Sequence, residues 1–335
     1  MATKTLSSPP RETANPTPPR PAHSVRRTSS IDVSWPDGVT SDRKFIGTSR
    51  DYRTDAAGEP GETLGEARFE ARIDEDREIL SIEAHPAPPE IKALVGERAG
   101  SHLRLMLRET MPQLLERGDP LYLPLDDLSG TALVSAFGFS QWNPEYAKKF
   151  RERISDDEFI HLMEQRKNVC WGLAEGNSGL DPHTVDDVAS ADAGDLRNDA
   201  DPSGWHDLPD EDGPGFRRAR RIDVWRDGDI LRVASSFQDS AKRRDAGRVA
   251  IHEYDLDLTV DSQTREILSL TATPHVLPFP ECPGAVANTQ LLVGKPIDEI
   301  RDEVLANLRK TAGCTHLNDA LRALAEVPKL ASYLA

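Results

Sequence analysis

The sequence predicts an α+β fold made of two degenerate repeats, each a small antiparallel sheet followed by helices packed on one side. Three observations predict this architecture. Short sequence matches recur in the same order in the two halves of the chain, which is the signature of an internal repeat. In the second half, strand-like runs precede helix-like runs, as is typical of an α+β domain. A strongly acidic segment separates the halves and is expected to join them as a linker.

The repeat depends on four matches that occur in one order. The second of them, Arg-Glu-Ile-Leu-Ser, occurs unchanged in both halves. The matching residues, first half against second, are 26–38 and 220–228, 77–81 and 265–269, 94–96 and 292–294, and 125–128 and 317–321. We therefore expect the halves to share a framework and to pack as an intramolecular pseudo-dimer.

Composition divides the chain into five expected segments. Residues 172 to 215 hold twelve acidic residues and one basic one, so they carry −11 of the net charge of −16 and are interpreted as a solvated linker. The expected segments are a disordered arm (1–26), a cysteine-free repeat (27–140), a helical connector (141–171), the acidic linker (172–216) and a repeat with a metal site (217–330).

Each element of the second repeat has its own sequence signal. An Asp-Gly turn at 227–228 between β-prone runs predicts a hairpin. Apolar and polar residues alternate over 254–260, which predicts a half-buried strand. Pro283 and Pro296 suit first helical positions, and a last helix is expected over 315–325. In the connector, apolar residues at helical spacing predict a helix over 144–169.

The second repeat also contains residues suited to hold a metal: His252, Cys282, Cys314 and His316. Both cysteines are expected at helix starts, where free N–H groups and the helix dipole favour a thiolate. Two thiolates and two imidazoles satisfy tetrahedral zinc, iron or an iron–sulfur centre. Each residue also has a structural interpretation, because free cysteine is among the most buried residue types.

Other candidates carry weaker signals. His275 is interpreted as a loop-shaping residue, and Cys170, beside Trp171, as a packed side chain that could also reach the metal site. Asp255 and Asp257 share one face of a predicted strand and are interpreted as a solvated surface. Glu281, next to Cys282, is a candidate base near a bound metal.

The second repeat resembles a bacterial family known as domain of unknown function 2889. The resemblance rests on the Arg-Ile-Asp opening, the Asp-Gly turn, His252 at a strand entry, the Pro-x-Cys at Cys282 and the Gly-Cys-Thr-His-Leu sequence at 313–317. It covers roughly residues 217 to 327 and implies no activity.

A more distant likeness is to the U-type iron–sulfur scaffold proteins. These also place a cysteine before a helix, a Gly-Lys turn and a final cysteine at a helix start, as Cys282, 294–295 and Cys314 do here. Where those scaffolds carry a Cys-x-Asp loop, this chain has His252, and the helix after Cys282 is shorter. A mononuclear metal tolerates both departures better than a cluster.

Composition narrows the classes of protein that remain. Three cysteines in 335 residues do not form a disulfide framework, and no run of eighteen apolar residues is present. The acidic balance disfavours nucleic-acid binding, and the short basic run at 217–221 is interpreted as the start of a strand. We expect a cytoplasmic protein with reduced thiols that binds neither nucleic acid nor membranes.

Three functions therefore stay open. The first is a metal-binding protein with zinc or an iron centre at the four residues named above. The second is a non-catalytic interaction module that contacts a protein partner through its arm or its acidic linker. The third is an enzyme with Cys282 or Cys314 as nucleophile and His316 or His252 as base. No nucleophile elbow, P-loop or dinucleotide-binding glycine motif occurs.

Overall fold

The computed structural model describes residues 11–334 except 39–40, 57–59, 144, 146–151, 153–154, 182–187, 210–211 and 246. In this part of the chain, antiparallel strands form one large sheet with the order β4-β3-β2-β1-β6-β7-β8-β5, and β9 also pairs with β8. The strands are β1 (Ser24–Ser34), β2 (Arg43–Thr54), β3 (Glu62–Ile73), β4 (Ile79–His85), β5 (Ala191–Ala193), β6 (Gly215–Asp227), β7 (Ile230–Lys242), β8 (Arg248–Asp261) and β9 (Ile267–Val276).

Helices follow the strands in each half. The α-helices are α1 (Ser101–Thr110), α2 (Pro112–Arg117), α3 (Tyr122–Val134), α4 (Ala136–Trp142), α5 (Asp156–Arg166), α6 (Ile300–Asn307), α7 (Thr315–Ala323) and α8 (Val327–Ala331). Short 3-10 helices span Pro89–Leu94, Trp171–Leu173, Ser178–Leu180, Cys282–Leu292, Ile297–Glu299, Lys310–Ala312 and Leu324–Glu326. The predicted combination of an antiparallel sheet with helices is confirmed.

The sheet is continuous, whereas the sequence predicted a small sheet in each half. The two halves join where β1 pairs with β6 along its whole length, from Ser24 opposite Trp225 to Ser34 opposite Gly215. Because both strands are long and carry paired backbone groups on both edges, neither is left as an exposed edge. The β1–β6 ladder is therefore the centre of the molecule.

The two faces of the sheet have different coverings. Successive side chains on a strand point to opposite faces, and the adjacent residues Arg26 and Arg27 show what lies on each. Arg27 donates to the carbonyl oxygen of Gly118 (2.8 Å) and to Glu326, on the face covered by helices. Arg26 donates to the carbonyl oxygen of Pro18 (2.9 Å), on the face covered by irregular segments.

Those irregular segments include part of the expected arm and of the expected acidic linker. β1 begins at Ser24, inside the segment 1–26, and the N–H of Arg20 and its guanidinium both donate to Asp201. Trp205 and Leu208, from the acidic segment, are buried beside Ala219 of β6. A few apolar side chains and ion pairs thus hold this acidic segment against one face of the sheet.

The predicted elements of the second half occur close to their expected places. β6 and β7 form the hairpin around the Asp-Gly turn, and burial alternates over 254–260 within β8. A 3-10 helix begins at Cys282, and Cys314 is the N-cap of α7. In the connector, α5 covers Asp156–Arg166, while most of the predicted helix before it lies outside the described residues.

Helices α1 to α3 pack on the first-half strands around one apolar core, and α6 to α8 pack on the second-half strands around another. Within the described residues, no helix is both long enough and apolar enough to span a bilayer.

Candidate functional site

The site begins with an irregularity in the pairing of β7 with β8. Asp239 lies opposite His252, and the register shifts between Asp239 and Ser240. A β-bulge of this kind re-aims the side chains beside it. Here Nδ1 of His252 lies 3.3 Å from Oδ2 of Asp239, and both side chains are buried.

Helix α7 supplies the third member of the site. His316 is the second residue of this helix, just after its N-cap Cys314. Its half-buried imidazole stacks on that of His252, with ring centroids 3.3 Å apart and an interplanar angle of 17°. On the same sheet face, Phe237 stacks more loosely on His316, with centroids 6.4 Å apart. The helix start thus brings a second imidazole onto the strand pair.

Together, Asp239, His252 and His316 each offer a ligand atom, and these atoms all lie within 4.8 Å of one another. Among the described residues, this is the one set of three or more histidine, cysteine or carboxylate side chains whose ligand atoms lie this close together. Two imidazoles and one carboxylate form a donor set that proteins use for zinc with an open position and for non-haem iron.

The electrostatics of the group are set by burial and by Arg218. Burial alone raises the pKa of Asp239, but the Arg218 guanidinium and the hydrogen bond with His252 outweigh it and hold the pKa well below the usual range. Burial, and secondarily the neighbouring His252, lower the pKa of His316 far below its usual value. A lowered pKa favours the neutral imidazole, the protonation state that a metal ligand requires.

Arg218 itself is fully buried on β6 and donates to both oxygens of Asp239, from Nε to Oδ1 (2.8 Å) and from Nη2 to Oδ2 (2.9 Å). Its remaining nitrogen, Nη1, donates to Oδ2 of Asp319 on α7 (3.1 Å) and lies 3.9 Å from Asp127 on α3. A metal at the site would share Asp239 with this guanidinium.

The structure separates the cysteines from the histidines that were predicted to share a centre with them. Neither Cys282 nor Cys314 belongs to the group within 4.8 Å, and both are buried in the apolar core of the second half. The hydroxyl of Tyr254 donates to Sγ of Cys314 at 3.6 Å. Cys314 is the N-cap of α7, two residues before His316, and it is not part of the group that contains His316.

The thiols are also poor nucleophiles in these surroundings. Burial raises the pKa of Cys314 to about 11 and that of Cys282 still further. Cys170, half-buried in the connector, has its pKa raised for the same reason. A Cβ at Gly172 would lie 2.5 Å from Sγ of Cys282, so the start of the acidic segment packs tightly on this sulfur. These surroundings disfavour the thiolate that a cysteine nucleophile needs.

The remaining candidates lie elsewhere. His275 is hydrogen-bonded through Nε2 to Asp255 at 3.1 Å, and this contact raises the pKa of His275. Glu281 accepts from the N–H and the hydroxyl of Ser178 (3.1 and 2.7 Å), which ties the acidic segment to the residue before Cys282. Asp257, on the strand with Asp255, is exposed. None of these four side chains lies in the Asp–His–His group.

Asp239 was not among the ligands predicted from the sequence. Its chain neighbours are ordinary strand residues, and its position opposite His252 depends on the register and the bulge of β7. Metal-ligating histidines commonly contact a carboxylate. A carboxylate on the strand next to the one that carries His252 was therefore the sequence feature that could have indicated Asp239.

One comparison with known proteins gives a match. Residues 216–329 match the model of a family described as protein of unknown function (DUF2889). The matched segment contains all three residues of the Asp–His–His group, and it confirms the resemblance noted for residues 217 to 327. No curated protein and no solved structure matches the chain.

Proposed function

We propose that this protein binds one zinc or iron ion between Asp239, His252 and His316. One observation carries the proposal: the ligand atoms of two imidazoles and one carboxylate lie within 4.8 Å of one another. Three protein ligands leave coordination positions open for water or a substrate, as in catalytic zinc sites and facial-triad iron sites.

The surroundings of the three residues support the proposal. Arg218 and the pairing of β7 with β8 hold Asp239 in one orientation, in the manner of the outer groups that orient metal ligands. His316 keeps partial solvent exposure, whereas Asp239 and His252 are buried. The neutral state of His316 leaves a nitrogen lone pair available for a metal.

The set predicted from sequence, His252, Cys282, Cys314 and His316, is the rival ligand set for the same ion. It requires the two thiols to leave the apolar core and turn toward the imidazoles. An iron–sulfur centre belongs to this rival, since clusters are held by thiolates. The Asp–His–His set requires no such rearrangement, and we favour it for that reason.

We also propose that the two halves are degenerate repeats packed as an intramolecular pseudo-dimer. The strand order supports this, because β1 to β4 and β6 to β9 extend in opposite directions from the central β1–β6 pair. A further support is an Arg–Asp pair at the same place in each half: Arg27 with Asp51 and Arg218 with Asp239. In this proposal the first half is the structural partner of the second.

Elemental analysis of the protein, purified without a metal-binding tag, tests the proposed site. We expect about one zinc or iron ion per chain in the wild type, and loss of the ion in His252→Asn and His316→Asn. His275→Asn is the matched control, because His275 also contacts an aspartate but lies outside the group. The control should keep its metal.

The same preparation separates the two ligand sets. Cys282→Ser and Cys314→Ser should retain the metal if Asp239 is the third ligand, and Asp239→Asn should lose it. Metal that is lost in both serine variants and kept in Asp239→Asn would establish the rival set. A wild type without metal after anaerobic purification and reloading would refute both.

A further inference from the structure

A small polar cavity lies on the face of the sheet opposite to the Asp–His–His group. Glu253 follows His252 on β8, so its side chain points to the other face. There the arm and the acidic segment cover the strands, through contacts such as those of Ala14 with Glu253 and of Trp205 with Ala219. The cavity has a volume of about 20 Å³ and is lined by the arm, the acidic segment and strands β6 to β8.

Four of the residues that line the cavity carry a buried polar atom with no hydrogen-bond partner among the described residues. Two of these atoms are donors, Nε of Arg221 and Nε2 of Gln238. The other two are acceptors, Oε2 of Glu253 and Oδ1 of Asp255. Arg221, Gln238 and Glu253 are each more than nine-tenths buried. Because a buried polar atom without a partner destabilises the fold, such atoms are normally bound to another protein group or to an ordered water.

We propose that this cavity is a binding site for one ordered water molecule, which bridges Arg221 and Gln238 to Glu253 and Asp255. A water accepts two hydrogen bonds and donates two, which matches two donors and two acceptors. A buried water needs roughly 10–15 Å³ of such a cavity, so one molecule fits and a larger ligand does not. The site is separate from the proposed metal site and does not depend on it.

Glu253 connects the water to the arm. Its Oε1 accepts from the N–H of Ala14 at 2.8 Å, and its Oε2 is the atom without a partner. A water on Oε2 holds the carboxylate in the orientation that receives the arm. Next to this contact, the N–H of Glu12 donates to the carbonyl oxygen of His275 at 3.0 Å. The water therefore helps to fasten the arm to β8 and β9.

The match between the cavity and a water holds for ionised Glu253. Burial raises the pKa of Glu253 to about 7, while the N–H of Ala14 and the nearby Gln238 amide partly offset this effect. Above that pH both oxygens of Glu253 accept hydrogen bonds. The site is therefore tested at about pH 8.5, where a carboxyl group with this pKa is ionised.

A high-resolution crystal structure of the full chain at this pH tests the site directly. We expect one ordered water about 2.7–3.2 Å from Nε2 of Gln238 and Oε2 of Glu253, with Arg221 and Asp255 as its other partners. The alternative is that Gln238 and Glu253, which are opposite each other across the β7–β8 ladder, bind each other directly. A direct bond between them with no ordered water in the cavity would overturn the proposal.

Hydrogen exchange of the Ala14 amide tests the role of the water in fastening the arm. Gln238→Met keeps the contact between Glu253 and Ala14 but replaces the donor in the cavity by a methyl group. Oε2 of Glu253 then loses its partner, an unfavourable state that opening of the arm relieves. We expect the Ala14 amide to exchange about fivefold faster than in the wild type.

Gln290→Met is the matched control for this measurement. Nε2 of Gln290 donates to the carbonyl oxygen of Leu270 at 2.8 Å, so the same substitution removes a hydrogen bond of the second half outside the cavity. Exchange of the Ala14 amide should stay at the wild-type rate in this control. A wild-type rate in Gln238→Met, or an equal acceleration in both variants, would overturn the role of the water.

Discussion

The two halves carry the same buried ion pair at the same place and surround it differently. In the first half, Arg27 of β1 donates from Nε and Nη2 to Asp51 of β2, both at 2.6 Å. In the second half, Arg218 of β6 donates from the same atoms to Asp239 of β7. The register of the sheet shifts directly after each aspartate.

The difference lies in the residue opposite the aspartate. Asp51 faces Gly65 across the β2–β3 ladder, whereas Asp239 faces His252 across the β7–β8 ladder. The second half adds His316 from a helix start. The ion pair is thus common to both halves, and the two histidines beside it are found in the second half.

The largest expected effect concerns the shared pair. Asp51→Asn leaves the buried charge of Arg27 with one carboxylate partner instead of two, and we expect the free energy of unfolding to fall by about 3 kcal/mol. Asp239→Asn should cost a similar amount in metal-free protein. Denaturant unfolding of both variants measures this. A cost below about 1 kcal/mol for Asp51→Asn would contradict the structural role of the pair.

His206 is a buried histidine that lies outside the Asp–His–His group. Nδ1 and Nε2 of His206 are hydrogen-bonded to Thr28 (2.8 Å) and Ser30 (3.0 Å) of β1. Burial, with Arg50 and Arg217 nearby, lowers the pKa of His206 to about 3. The folded state therefore excludes a proton that the unfolded chain accepts below about pH 6.5.

The sign of this pH dependence follows directly. The contribution of His206 to the free energy of unfolding is complete above about pH 6.5 and is lost as the pH falls toward 3. Between these two values the free energy of unfolding falls by about 1.4 kcal/mol per pH unit. Unfolding measured from pH 7 to pH 4 should show this slope as a difference between wild type and His206→Gln. Identical slopes in the two proteins would show that His206 is not held neutral by the fold.

The smallest expected effect concerns the cysteines. Cys282→Ser places a hydroxyl in the apolar core and should lower the free energy of unfolding by about 1–2 kcal/mol without changing the metal content. Cys170→Ser, at a half-buried position, should change it by less than about 0.5 kcal/mol. A larger loss for Cys170→Ser than for Cys282→Ser would contradict the placement of these side chains.

The sequence was sufficient to predict the elements that depend on local pattern. The alternation over 254–260, the Asp-Gly hairpin turn and the helix start after Cys314 all occur as expected, because each is determined by residues close together in the chain. His252 and His316 were also predicted as ligands from sequence, and the structure places their rings in contact.

Features that depend on pairing across the sheet were not predictable in the same way. The choice of Asp239 as the third residue follows from the register and bulge of β7, and a one-residue change of register would turn its side chain to the other face. The joining of both halves into one sheet follows from the β1–β6 pairing, which has no local signal. Cys282 and Cys314 were placed correctly at helix starts, but the direction of their side chains depends on core packing.

Anomalous X-ray diffraction from crystals of the metal-loaded protein tests the central claim most directly. At the absorption edge of zinc or iron, we predict one strong anomalous peak within bonding distance, about 2.0–2.2 Å, of Asp239, His252 and His316. A peak beside Cys282 and Cys314 instead, or no peak in the loaded crystals, would contradict it.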